Sequence, residues 1–156
     1  MLTKEEIKQL RLKFWLEFDN YSLQKKKKAR KPLKWIMNNT GIKQLKLKFD
    51  FDDQRAIVGI DVETRNIEKR IDIFCKLELL KPELEHALKQ ELTWEVEYIL
   101  PTGKSISRAC LETVGVSIYR MEDWPVVMDF FYKNMVILEK IFEAHKESLK
   151  YNENDD

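Results

Sequence analysis

From Leu45 to Phe51 the chain alternates residue by residue. Leu45, Leu47, Phe49 and Phe51 are apolar, while Lys46, Lys48 and Asp50 are polar. A period of two predicts a strand with one buried face. A second strand follows, with Ala56, Val58, Ile60 and Val62 on one side. With Asp52-Asp53 as a two-residue loop, Leu47 lies opposite Val58 and Leu45 opposite Ile60, so the two apolar faces coincide. Upstream the period changes. Ile7, Leu10, Phe14, Phe18 and Tyr21 recur at helical spacing, and Trp15 widens their stripe. Thr3 and Glu6 form a capping-box pair and Leu2 and Ile7 a hydrophobic staple, so this helix runs from Lys4 to about Tyr21.

Residues 23–34 show neither period. Gln24-Lys25-Lys26-Lys27-Lys28-Ala29-Arg30-Lys31-Pro32 reads as an exposed linker, because Pro32 and like-charge repulsion both oppose a continued helix. Trp35, Ile36 and Met37 return the chain to the core, and Asn38-Asn39-Thr40-Gly41 is a turn. Beyond the hairpin, Asn66 caps a helix whose inner face carries Ile67, Ile71, Phe74 and Cys75. Pro82 breaks that helix, and a short one follows with Leu84, Ala87 and Leu88. Trp94, Val96, Tyr98 and Leu100 form the apolar face of a third strand. Pro101-Thr102-Gly103-Lys104 is a turn, and residues 105–111 are a fourth strand, followed by a looser segment through Ile118. Asp123 then caps a last helix with Pro125 in its first turn and a broad stripe from Val127 through Phe131, Leu138 and Phe142 to Leu149.

The resulting order is αββαββα. It predicts an α+β fold, a four-stranded antiparallel sheet with helices packed on one face. Residues 1–150 form a single domain on this reading, and 151–156 an acidic, disordered tail. The two ββα units repeat an order of elements without resembling each other in sequence.

Composition changes the picture little. The chain has 156 residues, 44% of them hydrophobic and 35% charged, as expected of a globular domain. No apolar run approaches the roughly 20 residues of a membrane span. The start, Met1-Leu2-Thr3-Lys4-Glu5-Glu6, lacks a signal-peptide apolar region. Cys75 and Cys110 sit in apolar patterns and read as buried thiols rather than a disulfide, so a cytoplasmic location is expected. Charge is more informative. Residues 1–48 hold 14 Lys and Arg against 4 Asp and Glu, a net of +10. The whole chain is +1, so the remainder carries −9. Such polarity suits an anionic partner or a second protein of matching polarity.

Several segments, taken in order, resemble the bacterial domain-of-unknown-function family 4268. They are Trp35 with Thr40-Gly41-Ile42, the hairpin end Val58-Gly59-Ile60-Asp61-Val62-Glu63, and Leu80-Lys81 through Leu92-Thr93-Trp94-Glu95. Gly103-Lys104-Ser105-Ile106-Ser107-Arg108, Glu122-Asp123-Trp124-Pro125 and Phe130-Phe131 complete the match. The Lys25–Lys28 run lies outside that pattern. The resemblance implies a small α+β domain of no established activity, one that stands alone or follows other domains, some of them nuclease-like. Fold and neighbourhood do not fix chemistry.

Two candidate chemistries follow. A divalent-metal nuclease holds Mg²⁺ or Mn²⁺ with carboxylates on adjacent strands and polarises water with a nearby Lys. Asp61 and Glu63 share a strand face, and Asp50 has the same outward parity on the neighbouring strand. Glu63-Thr64-Arg65 has the spacing of a Glu-x-Lys motif, but Arg65 is no substitute for a Lys that exchanges protons. The plainer reading is a solvated strand face with no metal and no cofactor. The second candidate is phosphate binding by Lys25, Lys26, Lys27, Lys28, Arg30 and Lys31, with Tyr21 and Trp35 near to stack on bases. The plainer reading there is a solvated linker. His86 and His145 have no ligand at zinc spacing. Gly103-Lys104-Ser105 lacks the first Gly of a P-loop, and a hairpin turn explains it. The expected function is therefore a non-catalytic binding or accessory module for a protein or nucleic acid, away from the membrane. The alternative is a metal-dependent nuclease or its degenerate descendant.

Overall fold

The computed structural model describes residues 1–26 and 42–150. Its elements are α1 (Lys4–Lys26), β1 (Leu45–Phe51), β2 (Arg55–Val62), α2 (Ile67–Glu78), α3 (Lys81–Leu88), β3 (Thr93–Ile99), β4 (Ser105–Val114) and α4 (Trp124–Leu149). A 3-10 turn, Met121–Asp123, leads into α4. The strands form one antiparallel sheet in the order β1-β2-β4-β3. The expected α+β fold and αββαββα order are thus observed, with the middle helix split before Pro82. Pro82 occupies the first turn of α3, where a missing N–H leaves no bond unmade.

The first hairpin turns one residue later than expected. The Asp52 N–H donates to Arg55 O at 3.0 Å, closing a loop of Asp53 and Gln54. Asp52 Oδ1 accepts from the Gln54 and Arg55 N–H groups, both at 2.8 Å, and so stabilises the turn. At the far end the Glu63 N–H donates to Gln44 O at 2.8 Å. Together these bonds set Leu47 opposite Ile60 and Leu45 opposite Val62. A shift of two residues keeps each side chain on its face, so the apolar match survives.

The central strands are covered on both sides. β2 is buried at every position from Ala56 to Val62, and β4 from Ile106 to Leu111. At Gly59 a Cβ would meet Ala109 O at 2.4 Å and Cys110 Cα at 2.7 Å. Only glycine permits this approach of β2 to β4. β3 is an edge strand and departs from its expected face. Glu95 pairs with Arg108, but Tyr98 pairs with Ile106, so one extra residue sits between them. This bulge turns Tyr98 to the face opposite Trp94. The Ser107 hydroxyl donates to Val96 O at 2.6 Å and satisfies a carbonyl inside the irregularity.

Contacts gather in two compact units. The first comprises residues 1–26, 49–57 and 112–133, and its core is aromatic. Phe131 lies 4.8 Å from Phe49, 5.4 Å from Phe18 and 6.2 Å from Phe14, ring centre to ring centre. The capping box forms as predicted, with Glu6 N–H to Thr3 Oγ1 at 3.1 Å and Thr3 N–H to Glu6 Oε1 at 3.3 Å. α1 continues to Lys26, past its expected end and into the expected linker. Lys is a good helix former, and cations favour the negative end of the helix dipole. The hairpin tip is tied down by Gly115 N–H to Gln54 O at 3.1 Å and Ile118 N–H to Asp52 O at 2.9 Å. Asp123 Oδ2 accepts from the Ser117 N–H and from Arg120 Nε, both at 2.9 Å, so its carboxylate orders the loop before α4.

The second unit comprises residues 42–48, 58–111 and 134–150. Asn66 caps α2 as predicted, accepting from the Lys69 N–H. The buried face of α2 is Arg70, Ile73, Phe74 and Leu77, so of the expected face only Phe74 is buried. Ile67, Ile71 and Cys75 are exposed. Both stripes have helical spacing; the buried one is usable because Arg70 Nη1 donates to Ser105 O at 3.1 Å and Ser105 Oγ at 3.2 Å. Cys75 is therefore not the buried thiol expected, whereas Cys110 is, and neither is in a disulfide. The expected stripe of α4 is buried, including Met135, Leu138, Phe142 and Leu149 in this unit. The basic residues Lys27, Lys28, Arg30 and Lys31, the segment 35–41 and the tail 151–156 lie outside the described residues.

Candidate functional site

The densest polar cluster is built on β2 and β4. Asp61 points from β2 to Arg108 on β4. Arg108 Nε donates to Asp61 Oδ1 at 2.7 Å and Nη2 to Oδ2 at 2.9 Å. Asp61 is 1% exposed and Arg108 7%, so the pair is buried. Two parallel N–H bonds to one carboxylate are the strongest geometry an arginine offers. The bulge in β3 swings Tyr98 over the guanidinium, 4.4 Å from ring centre to Cζ. The bond to Asp61 opposes the cost of burial and holds the Arg108 guanidinium above its ordinary pKa. Arg108 is thus a permanent cation, unable to act as a base.

Glu63, just beyond β2, is held the same way. Its Oε2 accepts from Lys46 Nζ at 3.0 Å and Lys104 Nζ at 3.4 Å. Burial pushes the Glu63 carboxyl up, but the hydrogen bond and charge of Lys46, aided by Lys104, outweigh it and leave the pKa below the usual glutamate value. Glu63 is therefore ionised at neutral pH. The ladder alternates Lys104, Glu63 and Lys46 beside Arg108 and Asp61, with each carboxylate answered by cations. Farther along, Ser105 connects Arg70 of α2 to Glu97 of β3, with Ser105 Oγ 3.5 Å from Glu97 Oε1.

This donor set does not fit a divalent ion. Mg²⁺ or Mn²⁺ takes several oxygens at about 2.0–2.1 Å, and both Asp61 oxygens are directed at N–H donors instead. Asp50 is exposed on β1, and Arg65 is exposed in the turn before α2. Among the described residues, no three His, Cys, Asp or Glu side chains gather where they could hold a metal. The sequence reading named Asp61 and Glu63 but missed Arg108, Tyr98, Lys46 and Lys104. The available signal was Arg108 itself, a charge on the same strand face as Ile106 and Cys110, which requires a partner if that face is buried.

A family model described as a domain of unknown function, DUF4268, matches residues 10–146. The chain belongs to the DUF4268 family. The matched span contains the whole ladder from Lys46 to Arg108. No curated protein and no solved structure matches the chain. In this DUF4268 domain, Lys25 and Lys26 stand in the last turn of α1 rather than in a linker. Lys25 is exposed, with Nζ 5.5 Å from the centre of the Tyr21 ring. His145 Nε2 lies 2.7 Å from Glu83 Oε2, and His86 is exposed. No described helix of the DUF4268 domain is long and apolar enough to cross a membrane.

Proposed function

We propose that this DUF4268 domain is a bacterial, cytoplasmic, non-catalytic binding module. The observation that carries the reading is the buried Asp61–Arg108 pair. The carboxylate best placed for metal chemistry is turned to cross-linking β2 and β4, and Glu63 is similarly engaged by Lys46 and Lys104. Two cysteines outside any disulfide suit a reducing compartment. One surface suited to recognition is the outward side of α1, where Leu12 and Leu16 are solvent-exposed, and such a surface favours a protein partner.

Nucleic acid is the second reading, favoured by the basic run beginning on the helix at Lys25 beside Tyr21. One set of assays tests both. Incubated with DNA or RNA and Mg²⁺ or Mn²⁺, the protein should cleave nothing. Mg²⁺-dependent cleavage that disappears in Glu63→Ala would overturn the binding reading and install the nuclease. Binding titrations at several salt concentrations test the basic run. If it contacts phosphates, changing Lys25, Lys26, Lys27 and Lys28 to Ala flattens the log–log salt dependence by roughly 0.7–0.9 per lost contact.

A further inference from the structure

β3 and α2 leave one edge of the second unit open. Among the described residues β3 is bonded to β4 on one side and to no strand on the other. The backbone groups of its outer side therefore lack a strand partner. Side chains of α2 overhang that edge, as the contacts of the helix show. Arg70 bonds to Ser105 of β4, and Phe74 lies 5.7 Å from Trp94 of β3, ring centre to ring centre. Continuing round the helix in that sense, from β4 out to β3, Ile67 and Ile71 come next, about 20° and 60° past Phe74. They are 60 and 41% exposed. Ile99 pairs with Ser105, so it shares the face that α2 covers, and it is 58% exposed. The three isoleucines form an apolar shelf beside an unpaired backbone edge. Glu95 pairs with Arg108 and stands on the opposite face of the strand. Glu91, Glu95 and Glu97 are all exposed, and among the described residues none of them has a cation partner.

We propose that this edge captures an extended segment of another protein in which apolar residues alternate with Lys or Arg. The proposal rests on the reading of the chain as a binding module. A strand added to β3 takes up the open backbone groups, and its side chains alternate between the two faces. Those on the α2 side meet Ile67, Ile71 and Ile99, which selects apolar residues. Those on the other side meet Glu95, which selects basic ones. Charge disfavours a second copy of β3 as the occupant. Antiparallel pairing about Val96 sets Glu95 against Glu97 twice, and pairing about Glu95 or Glu97 sets that glutamate against itself. The bulge and the glutamates thus guard the edge against strands like itself, while the same glutamates attract a basic one.

Fluorescence anisotropy with the full chain tests this, using a labelled peptide of about seven residues that alternates lysine with valine. Wild-type protein should bind the peptide saturably with a Kd below about 1 mM, and backbone amide shifts should gather in β3 and α2. A peptide alternating glutamate with valine should not bind. Nor should the lysine peptide once its backbone nitrogens are methylated, because it can then form no strand. Ile67→Gln combined with Ile71→Gln should weaken binding about tenfold, and Glu95→Lys about fivefold. All three positions are exposed, so circular dichroism should show an intact fold. Absence of saturable binding to wild-type protein overturns the proposal. Equal binding of the methylated peptide also overturns it, since charge attraction alone would then account for the complex. Shift changes centred away from β3, or indifference to either variant, do the same. Any of these failures leaves the binding-module reading standing, since that reading falls only on metal-dependent cleavage.

Discussion

Replacing Asp61 by Asn should leave the Arg108 guanidinium charged, buried and unanswered. Two charge-assisted hydrogen bonds, at 2.7 and 2.9 Å, are lost or weakened. Bonds of this class contribute about 1.5–3 kcal/mol each, and breaking one side of a buried pair costs about 3–5 kcal/mol. Domains of this size have about 5–15 kcal/mol in total, so the variant should fold yet unfold at markedly lower urea. Arg108→Met strands the other partner, with a different signature. A buried carboxylate can shed its charge by taking up a proton. The folded variant then holds a proton that the unfolded chain releases at the same pH, so acid favours its folded state. The deficit of Arg108→Met relative to wild type should therefore shrink as pH falls from about 7 towards about 4, while that of Asp61→Asn stays flat. Urea titrations followed by circular dichroism at several pH values would measure both. Losses under about 1 kcal/mol for either variant would refute the claim that the pair is desolvated and mutually satisfied.

Three further outcomes follow from the packing. Phe131→Ala should cost about 3–5 kcal/mol, whereas Trp94→Ala, half-exposed on the edge strand, should cost about 1–2 kcal/mol; equal losses in chemical denaturation would contradict the edge position. Gly59→Ala should destabilise by about 1–3 kcal/mol because its methyl group would collide with Ala109 O, and a neutral result by thermal melting would mean that β2 and β4 lie farther apart. Thiol titration of native protein should find one fast group, Cys75, and release Cys110 only on denaturation; two slow thiols would put α2 back on its expected face.

The elements were legible because helix and strand periods are local properties. The capping box at Thr3 and Glu6, the Asn66 cap and the break before Pro82 each depend on residues a few positions apart. What was not legible depends on partners far along the chain. The first hairpin register turned on whether Asp52 lies inside the loop or closes it, and both choices keep the apolar faces matched. The bulge in β3 is invisible in Trp94-Glu95-Val96-Glu97-Tyr98, whose alternation is regular. It appears only in the pairing with β4. The face of α2 was misread because the buried one includes Arg70, whose two acceptors come from Ser105 on β4, far along the chain. The candidate site was half legible for the same reason. Asp61 and Glu63 stood out as carboxylates, but the cations that answer them come from β1, β4 and the turn between β3 and β4.

That division bears on why an ion pair sits at the β2–β4 junction at all. β1–β2 and β3–β4 are hairpins, and each turn sets its own register. β2 and β4 are not joined by a turn, and the bonded residues are 47 positions apart. Apolar burial alone tolerates slippage by two residues, since each side chain then keeps its face. A slip of two would move Asp61 from Arg108 to Ile106 or Cys110 and strand both charges in an apolar setting. The pair thus adds an energetic penalty to every slipped register that leucine and methionine could not impose. The expected result is that Asp61→Leu combined with Arg108→Met restores most of the stability lost in the single variants, because apolar replacements of buried pairs are often neutral. The double variant should nevertheless show more than one register, visible as doubled amide resonances in β2 and β4. A single, well-dispersed set of resonances would refute the idea. It would assign the register to Gly59 and the two hairpins alone.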